Sequence, residues 1–427
     1  MKKYCEMDKQ ALEKERLTLL GCYENYKKMG LSLTMARGNP CKEQLHLSDG
    51  LFDTVNGENA YTEDGMDVRN YGGLDGIPEM KRLFSQIFEC PERDIIIGEN
   101  SSLHMMFDAV AQAVSMGLDG ERPWATLDKV KFLCPSPGYD RHFAVTQYFG
   151  IENICVPMTE TGPDMEIVEQ LIKDPAVKGI WCVPKYSNPD GITYSDDTVR
   201  RLASMKPAAK DFRIIWDNAY ILHHLYDEPE RQDKVLCLYK ECQKFGTQNR
   251  VLMFASFSKI THPGSGVAAL AASDHNIELI KHRMKFQTIG PDKVNQLRHV
   301  RFLKDIDGIR EHMKKHAEII RPKFRLVIDT LTSELKERGV GSWRDPNGGY
   351  FVSYYAPNGC AKRIVALCKD AGLVLTPAGA SYPGGYDPND SNIRIAPTFP
   401  PCDELKTAME LFCVAARLAT VEKYLAE

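Results

Sequence analysis

Three side chains at the ends of apolar runs have the chemistry to hold and transform a small charged molecule. Lys259 follows the run VLMFA through a Ser-Phe-Ser turn, which places its amine at a strand end instead of on a solvated helix face. Most lysines are surface charges. An amine on a flexible stem, whose protonation shifts readily on burial, is suited to Schiff-base chemistry and to moving a proton. Asp217 closes the run FRIIW; from position alone it is equally a fixed charge within a site, a helix N-cap or a loop charge. Arg394 lies in NIRIAP, where the plain reading is an exposed edge charge. A planar guanidinium also matches a carboxylate through two charge-assisted bonds, each contributing roughly 1.5–3 kcal/mol.

These residues need a scaffold that ends several strands at one place. From about Tyr71 to Ser273 the chain alternates helical stretches with short apolar runs: RDIIIG, VKFLCPSPG, ENICVPM, KGIWCVP, FRIIWDNAY, VLMFASFSK and GVAALAAS. Such runs read as strands buried on both faces of a mostly parallel sheet, and ligands gather beyond the carboxyl ends of those strands. Residues from about Asp8 to Lys28 read as an amphipathic helix, followed by the extended segment LSLTMARGNP. After about residue 300 the pattern is largely helical, with strand candidates GGYFVSYY, GLVLTP and NIRIAP. The expected organisation is an N-terminal helix and arm over 1–60, a large α/β domain over 61–300 and a small α+β domain over 301–427.

Four strand-end signals follow one another: Ser187-Asn188-Pro189-Asp190-Gly191, Asp217-Asn218-Ala219-Tyr220, Ser256-Phe257-Ser258-Lys259, and Arg394 in NIRIAPTFP. In this order and at these separations they resemble the fold-type-I pyridoxal-phosphate aminotransferases. The resemblance runs over nearly the whole chain. The segments FSKITHPGSGVAAL, YGGLDGIPEMKRLF and QTIGPDKVNQLRHVRF are similar to the narrower subgroup Ic aspartate aminotransferases.

The resemblance implies a mostly parallel seven-stranded sheet flanked by helices, and pyridoxal 5'-phosphate carried on Lys259. Asp217 would face the cofactor's ring nitrogen and keep it protonated, so that the ring accepts an electron pair. Tyr220 and Asn188 would donate hydrogen bonds to its 3′ oxygen, and Tyr139 would stack on the ring. By position alone Asn188 is a turn residue before proline and Tyr139 a packed loop aromatic. Ser101 and Ser102 join a strand to an apolar-periodic helix and read as an N-cap; the same helix N-terminus is a natural anion seat. Ser102, Ser256 and Ser258 would add hydroxyls for the phosphate.

One position departs from the common family pattern: Val267 stands where an arginine usually holds the phosphate. Hydroxyls, backbone amides and Tyr71 from a neighbouring subunit are the candidates to replace it. Arg394 would grip the substrate's α-carboxylate, and Gly38 would let the arm close over that group. For a second carboxylate the segment TIGPDKVNQ offers Lys293 and Asn295 across a shared dimer site; otherwise Lys293 is a surface charge near a helix start. The expected reaction is amino transfer between L-aspartate and 2-oxoglutarate in a homodimer with shared active sites. The same residues would serve another amino-acid specificity or a β-lyase. An aminotransferase-like regulatory domain is disfavoured, because the N-terminal region is too short for a winged DNA-binding module.

Composition agrees with a globular enzyme. The 427 residues are 43% hydrophobic and 26% charged, with a formal net charge of −4 that offers nothing to nucleic acid or an anionic membrane. Thirteen cysteines without a Cys-x-x-Cys pair read as reduced thiols, and no apolar run suits a signal peptide or a membrane span, so a cytoplasmic protein is expected. No metal is expected: His312 and His316 have ligand spacing but read as a solvated helix face, and His223-His224 lacks further partners. Gly264-Ser265-Gly266 falls short of a nucleotide loop.

Overall fold

In a computed structural model describing residues 2–427, the N-terminal segment forms helix α1 (Lys9–Lys28). Asp8 caps it, accepting from the Ala11 N–H at 2.8 Å, and Lys27 and Lys28 complement the dipole at its other end. Its buried stripe of Leu12, Leu19 and Tyr23 packs along the C-terminal helix, Cys402–Ala426. The short strand β1 (Leu33–Thr34) follows and leads residues 36–40 toward the cavity described below.

All seven apolar runs between Tyr71 and Ser273 form strands: β2 (Ile95–Ile97), β3 (Lys131–Ser136), β4 (Glu152–Thr159), β6 (Val177–Cys182), β7 (Arg213–Asp217), β8 (Val251–Ser256) and β9 (Ala268–Ala272). The two-residue β5 (Gly162–Pro163) adds an edge to the seven, and the spatial order is β2-β9-β8-β7-β6-β3-β4-β5. The five strands from β8 to β4 run parallel to one another, and the antiparallel pairs of this sheet are β2–β9, β9–β8 and β4–β5. Their parallel course brings the ends of β3, β6, β7 and β8 to one rim. β6 and β7 are buried at every residue, as their apolar runs require. β4 differs: in it only Val156 is buried, because its outer neighbour is a two-residue edge strand that covers little of it.

Helices α2 (Ser102–Met116), α3 (Asp140–Tyr148), α4 (Lys293–Leu303) and α5 (Ile306–Leu331) complete the frame the site needs. The C-terminal part carries a three-stranded antiparallel sheet, β10 (Ser342–Trp343), β11 (Val352–Tyr355) and β13 (Asn392–Ile395), with Ser353 opposite Arg394. β12 (Leu373–Val374) pairs in parallel with β1 and so ties the arm to this region. One apolar core joins Leu12 and Tyr23 of α1 with Phe324, Tyr354 and Phe412, and Tyr220 enters it from the loop after β7.

The reading of EHMKKHAE as a solvated face is corrected. His312 and His316 are 6% and 1% exposed. They belong to the buried stripe Ile309, His312, Met313, His316, Ala317 and Ile320, while the intervening charges face outward. Their Nε2 atoms lie 3.2 Å apart; His316 Nδ1 meets the Gln44 amide at 3.0 Å, and His312 Nε2 meets the Ile260 carbonyl at 2.9 Å. Among the described residues no group of three or more His, Cys, Asp or Glu could hold a metal ion, and no helix is long and apolar enough to cross a membrane. All thirteen cysteines are free.

Candidate active site

A cavity of about 820 Å³ opens where the arm, the sheet rim and the C-terminal part of the chain meet. Seven of the residues expected from the sequence line it: Gly38, Tyr139, Asn188, Tyr220, Ser258, Lys259 and Arg394. They come from the arm, from the turns and loops that follow β3, β6, β7 and β8, and from β13, so the cavity exists only because separate segments converge at one place.

Lys259 stands just past β8 at the cavity wall. Its Nζ lies 5.0 Å from the centre of the Tyr220 ring and 6.0 Å from that of Tyr350. Desolvation there pushes the amine below the ordinary lysine range; the Asp217 carboxylate opposes the shift and the Arg394 charge adds to it. Burial raises the Tyr139 hydroxyl to about 12 and drives that of Tyr220 far up as well. Both phenols therefore keep their protons and are able to donate.

Asp217, the last residue of β7, is 3% exposed. Its Oδ2 lies 3.0 Å from Nε2 of His142, whose ring stacks on Trp181 at 4.5 Å between centroids. Its Oδ1 is buried with no partner. An orphaned carboxylate oxygen is costly in a protein interior, and a protonated pyridine nitrogen is a group that would satisfy it. The N-cap and loop-charge readings of Asp217 are set aside by this placement. His142 escaped the sequence reading: its contact with Asp217 spans 75 positions, and the only local signal was a histidine in the first turn after Tyr139.

The serines converge on the start of α2. Ser256 donates to Ser258 at 3.1 Å, and Ser258 donates to the Asn100 carbonyl at 2.9 Å, which binds the β8 turn to the loop before the helix. Ser101 holds the N-cap position but its hydroxyl makes no capping bond, which leaves it and the first helical N–H groups for a ligand. A Cβ on Gly266 would lie 3.1 Å from the Asn100 carbonyl, the Ser258 nitrogen and the Ser258 hydroxyl alike, and would crowd this cradle. Val267 is buried in the core below, with its carbonyl accepting from the Phe257 N–H at 2.8 Å. The residues present thus fit a phosphate held by hydroxyls and amides, and they fit the pyridoxal ring beside Asp217.

Arg394 is buried in β13. Its Nη1 donates to Asp140 Oδ1 at 3.1 Å and to Asn188 Oδ1 at 3.2 Å, and its Nη2 donates to Thr376 Oγ1 at 3.3 Å. The guanidinium lies 4.9 Å from the centre of the Phe351 ring, and its Nε is buried without a partner. A Cβ on Gly38 would fall 2.6 Å from Phe351 Cζ, so the space left by this glycine is filled by that ring. The edge-charge reading of Arg394 does not hold.

Two expected residues stand apart. Tyr71 is 84% exposed and Lys293 is buried as the first residue of α4, beside Gly73; neither lines the cavity of its own chain. The surface-charge reading of Lys293 is therefore also corrected, because α4 packs its first turn inward. Asn295 donates to the Ser265 and Gly266 carbonyls at 2.9 and 3.1 Å, which commits its amide to holding the turn below the serines. The cavity wall adds cations that the sequence reading passed over: Arg37, Arg141 and Lys369.

Comparison with known proteins agrees with this geometry. Residues 7–427 match the family described as aspartate amino-transferase. An aspartate aminotransferase of Corynebacterium glutamicum is 43% identical over 404 residues, covering 94% of this chain and 93% of that protein. The crystal structure of an aspartate transaminase from C. glutamicum superposes with a TM-score of 0.96 at 41% identity, covering 99% of both chains. LysN, an α-aminoadipate aminotransferase from Thermus thermophilus solved with N-(5'-phosphopyridoxyl)-L-leucine, shares the fold at 18% identity and a TM-score of 0.72, covering 92% of this chain and 93% of that one. With its lysine, its strand-end carboxylate and its buried arginine on the family's fold, the chain belongs to the aspartate aminotransferase family and is an aminotransferase.

Proposed function

We propose that the protein transfers an amino group between L-aspartate and 2-oxoglutarate, with pyridoxal 5'-phosphate bound through Lys259, Asp217 and the serines at the start of α2. The observation that carries this reading is the partnerless Oδ1 of Asp217, buried within Coulombic reach of Lys259, in the same site as the arginine that fits an α-carboxylate. Bound there, the cofactor would supply an electron sink for the pair released at the substrate's α-carbon.

The chain's own residues do the rest. Arg394 fixes the α-carboxylate and so decides which bond of the α-carbon stands over the ring. Lys259, whose neutral form is favoured by desolvation, accepts a proton from that carbon and returns it elsewhere. Asn188 and Tyr220 would donate to the cofactor's 3′ oxygen, Tyr139 would cover the ring, and Ser101, Ser102, Ser256 and Ser258 would hold the phosphate.

A dicarboxylic substrate is supported by the charge of the wall. Arg37 and Arg141 make no ion pair with any described residue, and a second carboxylate would meet them. A homodimer belongs to this reading: the exposed Tyr71, Phe286 and Ile289 support a second copy, which would bring Tyr71 to the phosphate and Lys293 toward the neighbour's substrate. A cytoplasmic setting is supported by the thirteen free thiols.

The test is to mix the cofactor-loaded protein with a panel of amino acids and follow the cofactor's visible absorbance. Conversion by aspartate and glutamate well ahead of alanine, leucine and phenylalanine is expected; a preference for an uncharged side chain would overturn the assignment.

A further inference from the structure

Arg394 has a carboxylate on it already. Asp140, the first residue of α3, places Oδ1 3.1 Å from Nη1, while Asn188 and Thr376 take further donors of the same guanidinium. The two charges differ in setting: the Arg394 side chain is 9% exposed and that of Asp140 is 36% exposed. A buried guanidinium without an anion is costly, so a partner is needed whenever the substrate is away. The contact is also incomplete. Asp140 reaches the arginine through Nη1, and Nε stays partnerless in the interior.

We infer that Asp140 is an internal stand-in for the substrate's carboxylate, holding Arg394 paired between turnovers and giving way when a ligand's carboxylate takes the guanidinium. This rests on Arg394 being the α-carboxylate site. An incoming carboxylate gains what Asp140 lacks, a two-point grip that draws on a second nitrogen. Asp140 has somewhere to go: its side chain is half-open to water, it sits in the first turn of α3 where the helix dipole favours negative charge, and unpaired Arg141 follows it in the chain. Substrate affinity is then a difference between two carboxylates on one arginine. Asp140 lowers the affinity of every anion for the site and disfavours those that grip Arg394 through one oxygen.

The experiment uses the cofactor-loaded enzyme and succinate, an unreactive dicarboxylate, in calorimetric titrations of wild type, Asp140→Asn, Arg394→Ala and the double variant. Asp140→Asn is expected to tighten succinate about five-fold, the scale of a partly exposed ion pair. In the Arg394→Ala background the same change is expected to have less than about a two-fold effect, since a general loss of negative charge would act there too and a competition for Arg394 would not. Unchanged or weaker binding by Asp140→Asn overturns the inference, as does equal tightening with and without Arg394. If Arg394→Ala itself binds succinate as wild type does, the failure lies in the reading of Arg394, and the inference falls with it. Asp140→Ser, which keeps a good helix-start residue, replaces Asp140→Asn if the latter melts early or loses the visible cofactor band.

Discussion

His142 Nε2 lies 3.0 Å from Asp217 Oδ2, and the other oxygen of the same carboxylate has no partner. One histidine thus fixes the carboxylate's orientation and leaves a single acceptor free. His142→Ala would free Oδ2 in a buried place, at about 1–3 kcal/mol for a lost partner. The dissociation constant of the cofactor, measured by equilibrium dialysis, should rise about ten-fold in this variant. His142→Asn, which keeps a donor, should recover part of the loss; if it behaves as Ala does, the histidine matters only through packing on Trp181.

Lys259→Ala should abolish turnover and remove the visible absorbance of the lysine-bound cofactor, with the fold kept as judged by circular dichroism. Retained activity would mean that another amine does the work.

Arg394→Ala should raise KM for aspartate and for 2-oxoglutarate while the cofactor spectrum persists. Truncating one member of a buried, hydrogen-bonded charge pair costs about 2–5 kcal/mol, so a rise of about 30-fold or more is expected. Loss of the cofactor instead would show that the residue belongs to a different part of the site.

Gly38→Ala would drive a methyl group into the Phe351 ring at 2.6 Å, and that ring lies under the Arg394 guanidinium. Overpacking of this kind costs about 1–3 kcal/mol. A lower melting temperature and a higher KM should appear together, and Phe351→Leu should relieve both.

Acid should destabilise the fold through its buried histidines. Burial holds His316 down to about 3 and His299 and His224 down to about 4. An unfolded chain takes up these protons near the ordinary value of about 6.5, so below it the unfolded state binds more protons and stability is lost as the pH drops. For His316 the loss between neutrality and pH 5 is about 2 kcal/mol. Thermal melts at pH 7 and pH 5 should show a smaller drop for His316→Gln than for wild type.

Local pattern carried much of this protein. Seven β-rich apolar runs announced the sheet, and Lys259 and Asp217 stood out because a polar residue at the end of such a run marks the rim of a parallel sheet, whereas Asn188 was singled out by the family resemblance. Residues whose role comes from a distant partner were not legible. His142 meets Asp217 across 75 positions and Asp140 meets Arg394 across 254, and no local periodicity encodes a contact made by strand crossovers and the packing of the C-terminal part against the sheet rim. The histidines of α5 show the same limit. Their spacing was visible, but whether that face met water or protein was settled by Gln44 and by the turn after β8 that carries Ile260, since burial is a property of neighbours brought by the fold.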